Sequence, residues 1–476
     1  MLFNSLVFLV FLPLFLALYF ATRGRTRLLV CLIGSYVFYG WWDYRFLSLI
    51  AISTGLDYFI GLALVRVRRP SKRRALLTMS VAGNLSLLGV FKYFDFFAES
   101  FEGLMNALGV SVSAPVLGVV LPVGISFYTF QTLSYSIDVF RGELEPERSL
   151  LRFATFVAFW PQLVAGPIVR ASVLLPQLRA LRRIEWDRVV SGVNLVLWGY
   201  VLKVVVADSL APFADTRFAH PAAHGSFSLL LGVLFYAFQI YGDFCGYSSI
   251  AIGLGRILGF EFGRNFNRPY FSRSFSEFWS RWHISLSSWL RDYLYIPLGG
   301  NRRGAKRTFV NLVITMFLGG LWHGSNWTFV VWGLLHGAYL VMQRMISRPW
   351  RSVTARLRIP QLVSGGTSML VVFLLTCLGW VFFRSQTFGD AFTILGRIAA
   401  WNGGWSLRQV PQTFLAVKGL GLIAGLVVAE TVQTRCDLER LSRRYPVLTV
   451  LYMVGCLWAL ALLGTYQGQS FIYFQF

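Results

Sequence analysis

The sequence predicts an all-α, polytopic membrane protein, and three observations carry that expectation. Of its 476 residues 56% are hydrophobic and only 14% charged. The apolar residues gather in runs long enough to span a bilayer core of about 30 Å, which takes about 20 helical residues. The charged residues gather in short basic clusters between those runs. An ordinary soluble domain and a large disordered region are both excluded by such a composition. No polar stretch exceeds about 30 residues, so residues 1–476 are expected to form a single integral-membrane domain.

Runs of spanning length recur about eleven times, with one or two further apolar segments of re-entrant character. Their expected cores are 3–21, 28–42, 46–65, 75–97, 115–139, 150–169, 189–206, 226–258, a broken pair over 308–343, 366–383, 413–432 and 447–465. The first has neither a basic leader region nor a small-residue cleavage site, so it reads as a retained span. Several spans carry polar groups that lipid does not tolerate, namely Asp57, Lys92, Asp95, Lys203, Asp243 and Glu430. Such groups belong on the bundle interior, mostly as structural pairs. The stretch "YAFQIYGDFCGYSSIAIG" (236–253) is rich in Gly, Ser and Tyr. Small residues let helices approach closely and hydroxyls bond across them, so a central helix is expected there, with Asp243 positioned to hold something.

The net charge is +23. Basic residues concentrate at 23–27, 66–74, 170–188, 264–273, 301–307, 344–358 and 435–444, while 98–114 and 207–225 carry almost none. The positive-inside rule puts the basic loops in the cytoplasm and both chain ends outside. Topology and attraction to anionic lipids account for charge of this kind. A sharper reading lets some of these arginines hold a phosphate-rich cytosolic ligand as well. The five cysteines are scattered and mostly within spans, which suggests neither a disulfide framework nor a metal site.

Residues 276–300, "SEFWSRWHISLSSWLRDYLYIPLGG", break the pattern. Trp279, Trp282, Leu286, Trp289, Leu290, Tyr293 and Leu294 recur at helical spacing, with Ser280, Arg281, Ser287, Ser288 and Arg291 on the remaining surface. An amphipathic helix in or under the cytoplasmic interface is expected. The following turn, Gly299-Gly300-Asn301-Arg302-Arg303-Gly304, offers backbone N–H groups beside arginines, an anion site in principle.

The segment 308–345 carries the chemistry. Its apolar run is interrupted at 319–326, "GGLWHGSN". The arms on either side are about 14 and 18 residues, too short at about 1.5 Å per residue to cross. The break and His323 are therefore expected at membrane depth, where irregular backbone must be packed in protein or line a wet cavity. A histidine there is a functional-site candidate. An imidazole with a pKa near the working pH can take a hydroxyl proton as that oxygen attacks a carbonyl, and partial burial keeps the ring neutral for the task. The alternative is a packing histidine between Trp322 and Trp327. His283 falls in the amphipathic segment, His336 reads as a helix-packing residue, and His220 and His224 as inert residues of an outer loop. No serine or cysteine nucleophile motif is evident, so the nucleophile belongs to the acceptor.

Six stretches together are similar to those of membrane-bound O-acyltransferases, most closely the bacterial alginate O-acetyltransferase branch. They are "FYTFQTLSYSIDVFRG" (127–142), "FWPQLVAGPIVR" (159–170), "YGDFCGYSSIAIG" (241–253), "FWSRWHISLSSWLRDYLYIPLGGNR" (278–302), "LWHGSNWTFVVWGLLHG" (321–337) and the terminal "FIYFQF" (471–476). The resemblance implies many tilted helices around a tunnel and an active site marked by two histidines. These map onto His323, the general base, and His283, nearer the cytosolic donor side. It further implies an acyl-coenzyme A or an acylated carrier protein as donor, with acetyl passing outward to periplasmic acetyltransferase partners of the exopolysaccharide machinery.

The expected function is acetyl transfer from cytosolic acetyl-coenzyme A, across a bacterial inner membrane, for O-acetylation of an exopolysaccharide such as alginate or cellulose. His323 is the base, and His283 orients the thioester or aids proton transfer. Asn301, Arg302, Arg303 and Lys306 hold the donor, since arginine forks bind phosphate in a bidentate way. Asp243, Asp292, Trp322 and Asn326 are expected to position side chains or line the tunnel. No bound cofactor, metal or nucleic acid is expected; membrane lipids are the remaining partner. Two rival readings stand beside this one. A transporter of a small anion or polysaccharide precursor suits the broken helix and intramembrane charges, although no internal repeat is visible. A scaffold of an envelope secretion complex needs no chemistry at all.

Overall fold

The computed structural model describes all residues of the chain except 165, 182–184, 402–403, 408–409, 436–444, 467–470 and 473–476. The basic run expected at 435–444 thus falls almost wholly outside the described residues, as do the last four residues of "FIYFQF". Among the described residues every regular element is helical, as expected. Eight helical stretches among the described residues have the length and apolarity to cross a membrane, the longest being Gly24–Arg66.

The chain divides into two compact units, residues 1–193 with 251–263 and residues 194–250 with 264–476. The first unit contains α1 (Leu6–Ala21), α2 (Gly24–Asp43), α3 (Leu47–Arg66), α4 (Pro70–Leu88), α5 (Phe94–Ala107), α6 (Ile125–Arg141), α7 (Leu150–Ala158), α8 (Ala171–Arg179) and the start of α9 (Trp186–Tyr200). Its centre is aromatic, with Trp160 packed against Phe3, Phe8, Phe11, Phe15 and Phe38. One of its buried carboxylates, Asp57, is fully engaged. Asp57 accepts from Asn84 Nδ2 at 2.6 Å, from Ser136 Oγ at 2.5 Å and from Ser80 Oγ. Three polar partners ease the burial of this group without a cation, because a buried charge is costly unless it is paired or hydrogen-bonded; Ser53 in turn bonds Asn84 at 2.9 Å and so steadies it. Outside the helices, Glu147 accepts from Arg152 at 2.9 Å and Arg179 at 2.8 Å. Burial alone would raise its pKa, but these arginines and the Ser149 N–H hold it below the usual carboxylate range.

The second unit contains α10 (Asp208–Ala219), most of α11 (Ser226–Ile257), α12 (Phe275–Arg281), α13 (Ile284–Leu290), α14 (Gly304–His323), α15 (Trp327–Arg356), α16 (Gln361–Arg384), α17 (Phe388–Ala400), α18 (Thr413–Arg435) and α19 (Pro446–Leu463). A π-helical stretch, Val201–Ala207, links α9 to α10 and holds Lys203. α17 opens with a reciprocal capping box between Thr387 and Asp390, which satisfies two otherwise orphaned N–H donors.

Three sequence expectations need correction. The expected span 115–139 is helical only from Ile125, so its first ten residues are irregular chain. The expected span 150–169 contains a helix of just 9 residues, α7, followed by a turn through Pro161. Phe153, Phe156, Phe159, Trp160 and Leu163 there are completely buried in protein. Hydropathy reports distance from water and reads protein core and lipid alike. Finally, the break in the 308–343 pair is shorter than expected. α14 continues through Gly319 and Gly320 to His323, and only residues 324–326 are non-helical. The helices are 20 and 30 residues long. α14 therefore rises roughly 28 Å, about a bilayer core, so neither arm is too short to cross.

Candidate active site

The site is built on the α14–α15 hairpin. Gly320 and Gly333 face each other across it. A Cβ at Gly320 would lie 2.4 Å from the Phe329 carbonyl oxygen, and one at Gly333 would lie 2.3 Å from that of Met316. The glycines let the two backbones touch, which sets the hairpin rigidly. Gly324 closes α14; a Cβ there would strike the Phe329 ring at 2.2 Å. Asn326 then starts α15 as its N-cap, its Oδ1 accepting from the Thr328 N–H at 3.0 Å. Its Nδ2 donates to the Gln386 carbonyl at 3.0 Å. Both ends of the Asn326 amide thus hold backbone, a structural use of a residue expected at the tunnel.

His323 is the last residue of α14 and is buried, 4% exposed. Its ring packs against Trp322, Trp332 and Phe383, with centroids 5.0, 4.9 and 5.3 Å away. His283 is completely buried. It stands where the expected single amphipathic helix breaks in two, between α12 and α13, in the left-handed region at φ 43°. A non-glycine residue there costs of order 1 kcal/mol or more and persists only where its surroundings over-determine it. Here they do. The Asn265 carbonyl accepts from the Ile284 N–H at 2.8 Å, and the Asn267 N–H donates to the Arg281 carbonyl at 2.9 Å. The amphipathic pattern was a poor guide because Phe278, Trp282, His283 and Leu286 are all interior. His283 lies in the segment between spanning helices yet out of reach of water, so its imidazolium is strongly disfavoured, and burial pushes the pKa down to about 3.

The two histidines meet on Trp322. Its indole lies 6.0 Å from the His283 ring and 5.0 Å from that of His323. The row continues through Trp332 to His336, 4.9 Å beyond. Sequence reading placed His336 as a helix-packing residue, and it is fully buried against Phe278, Trp279, Trp332 and Tyr339. What it did not find is Asn265, whose side chain bonds His283 and Ser285. Nothing in "RNFNRPY" (264–270) sets Asn265 apart from Asn267.

The other expected site residues lie elsewhere. Arg302, Arg303 and Lys306 are exposed, at the opposite end of α14 from His323. Asn301 accepts from Tyr295 Oη and, at 3.1 Å, from Arg344. Asp292 pairs with its neighbour Arg291 at 2.7 Å. Asp243 belongs to a buried ion cluster. Lys203 Nζ lies 2.7 Å from Asp243 and 2.8 Å from Asp208, and the second Asp243 oxygen accepts from the Ile472 N–H at 2.7 Å. Packing connects Asp243 to the His283 side of the site through its neighbour Phe244. Phe244 stands edge-on to His283 at 4.6 Å and also touches Phe471. No group of three His, Cys, Asp or Glu side chains able to hold a metal occurs among the described residues.

The arrangement is two buried imidazoles flanking an indole, at the end of a helix whose other end is basic. Such a site offers proton acceptors shielded from water and an anion-binding surface at a distance. Residues 117–383, which include both histidines, match the membrane-bound O-acyltransferase family. The chain is 44% identical over 437 residues to the probable alginate O-acetylase of Azotobacter vinelandii, covering 90% of this chain and 84% of that one. It is 33% identical over 435 residues to the peptidoglycan O-acetyltransferase of Helicobacter pylori, covering 85% and 80%. With the teichoic acid D-alanyltransferase of Streptococcus thermophilus it shares 30% identity over 263 residues, covering 52% and 63%.

Proposed function

The chain belongs to the membrane-bound O-acyltransferase family, and from that premise we propose that it is the acetyl-exporting enzyme of an exopolysaccharide O-acetylation system in a bacterial inner membrane. It is a multi-pass membrane protein and an O-acyltransferase. Two of the relatives named above are an alginate O-acetylase and a peptidoglycan O-acetyltransferase, and the proposal takes a polysaccharide as the final acceptor here too.

In the proposed reaction, acetyl-coenzyme A binds from the cytosol, with its phosphates on Arg302, Arg303 and Lys306. Its thioester arm runs along α14 toward the histidines. His323 takes the proton of the acceptor hydroxyl as that oxygen attacks the thioester carbonyl. The tetrahedral adduct then collapses, the carbon–sulfur bond breaks, and the coenzyme A thiolate leaves and recovers a proton. His283 orients the thioester or assists that proton movement. The acceptor is presented from the outer face by periplasmic acetyltransferase partners, which pass acetyl to the polymer. General base catalysis of this kind contributes about 10² to 10⁴ in rate.

The observation that carries the reading is the pair of buried histidines on one indole inside the family-matched segment. The test is transfer from labelled acetyl-coenzyme A in membranes carrying wild type or His323→Ala, matched for expression, with the periplasmic partners present. Label should leave coenzyme A with wild type only. Transfer unchanged in His323→Ala would sink the mechanism. Movement of substrate across liposomes without thioester cleavage would favour a transporter instead.

A further inference from the structure

We propose that Asn265 is a positioning residue that locks His283 in one tautomer, with the proton on Nδ1 and the lone pair on Nε2. The inference rests on the active-site reading above. It settles which of the two roles given to His283 the ring is able to perform.

The Asn265 amide is completely buried. Its Oδ1 lies 3.2 Å from the Ser285 backbone nitrogen, a group that only donates. That atom is therefore the oxygen of the amide and not the nitrogen. The other end agrees, since Nδ2 donates to Ser248 Oγ at 2.9 Å. The Ser285 hydroxyl also reaches Oδ1, at 2.9 Å. His283 Nδ1 lies 3.2 Å from this same oxygen. An oxygen fixed as an acceptor requires a donor opposite it, so Nδ1 carries the hydrogen. The competing contact, Ser285 Oγ to Nδ1 at 3.4 Å, is longer than the bond that hydroxyl makes to Oδ1. A neutral imidazole has one N–H and one lone pair, so Nε2 holds the lone pair.

The holding is not confined to the side chain. The Asn265 main-chain carbonyl accepts from Ile284, so one residue grips three consecutive positions, 283, 284 and 285. That grip accounts for the left-handed backbone at His283. Chemically, a neutral His283 with its lone pair on Nε2 accepts a hydrogen bond through that atom. It does not donate one to a thioester carbonyl or to the oxyanion formed from it. The geometry thus assigns His283 to hydrogen-bond acceptance and leaves oxyanion stabilisation to other donors.

The tautomer is read directly by nitrogen NMR of the intact protein labelled at its histidines, with the His283 signals assigned by their loss in His283→Gln. The expected wild-type result is a protonated Nδ1 and an unprotonated Nε2. In Asn265→Ala the two forms should mix, and kcat for acetyl transfer should fall about 10- to 100-fold with KM little changed, the scale at which groups orienting a reactive histidine act. Asn265→Asp keeps an acceptor opposite Nδ1 and should keep both the tautomer and most of the activity. A protonated Nε2 in wild type overturns the proposal, as does an Asn265→Ala spectrum identical to wild type. If Asn265→Ala yields no folded protein, wild type and Asn265→Asp still decide, the proposal failing if either shows protonated Nε2. Failure of the active-site reading is seen separately, as unchanged transfer in His323→Ala, and the NMR result stands apart from it.

Discussion

Trp322 is in contact with both imidazoles, so its removal should be felt twice. Trp322→Ala deletes a buried indole, and truncations of that size cost about 3–5 kcal/mol. It also frees the His283 and His323 rings to turn. Acetyl transfer should fall by at least about tenfold even at temperatures where the variant stays folded, a kcal or so of lost orientation being enough for that. Trp322→Phe, which keeps an aromatic face, should retain more activity. Transfer assays beside a thermal-denaturation series of the purified variants check both statements. Transfer by Trp322→Ala equal to wild type would show that the indole is filler. At this scale the sequence was legible where a residue contradicts its surroundings. His323 stood out because a polar ring interrupts an apolar run. Asn265 did not, because it lies in a run already polar and meets its partner 18 residues away, and one sequence does not reveal that pairing.

Among the elements, the α14–α15 hairpin decides where His323 lies. Gly333→Ala would bring a methyl group to 2.3 Å from the Met316 carbonyl, a rigid backbone atom. Overpacking of this kind costs about 1–3 kcal/mol. The expected outcome is a lower midpoint of thermal inactivation together with reduced transfer. Gly366→Ala, whose added methyl meets nothing within 4 Å, is the control and should match wild type in both. The existence of the hairpin was readable from the interruption of the apolar run. Its length was not, because Gly319 and Gly320 resemble helix breakers and are in fact the close-contact surface of a continuous helix. The segment 276–300 misled in the opposite direction. Its helical spacing is real, but the strain at His283 divides it, and strain held by a distant Asn leaves no periodic trace.

For the molecule as a whole, the class of fold was the most legible feature, since bulk hydropathy and clustered basic charge depend on no particular contact. The number of spans was less so: α7 and the turn after it are as apolar as a span and are enclosed by protein. The Lys203 cluster shows what whole-molecule assembly adds. Lys203→Met leaves Asp208 and Asp243 buried with no cation, and breaking a buried pair in this way costs about 3–5 kcal/mol. The variant should accumulate poorly or denature at markedly lower temperature, measured on the detergent-solubilised protein. Near wild-type stability would show that water reaches the cluster.

The bond from Ile472 to Asp243 spans 229 residues of chain. A ribosome therefore delivers Lys203, Asp208 and Asp243 to the membrane long before it delivers the backbone donor that completes their cluster. Throughout that interval the nascent chain holds a charged group within a largely apolar bundle with one of its hydrogen bonds still to come. Phe471, which touches the Phe244 ring beside His283, arrives in the same late moment. The wall behind His283 is thus finished only after residues 471 and 472 have been made, so a protein truncated before that point lacks both the bond to Asp243 and the packing behind His283.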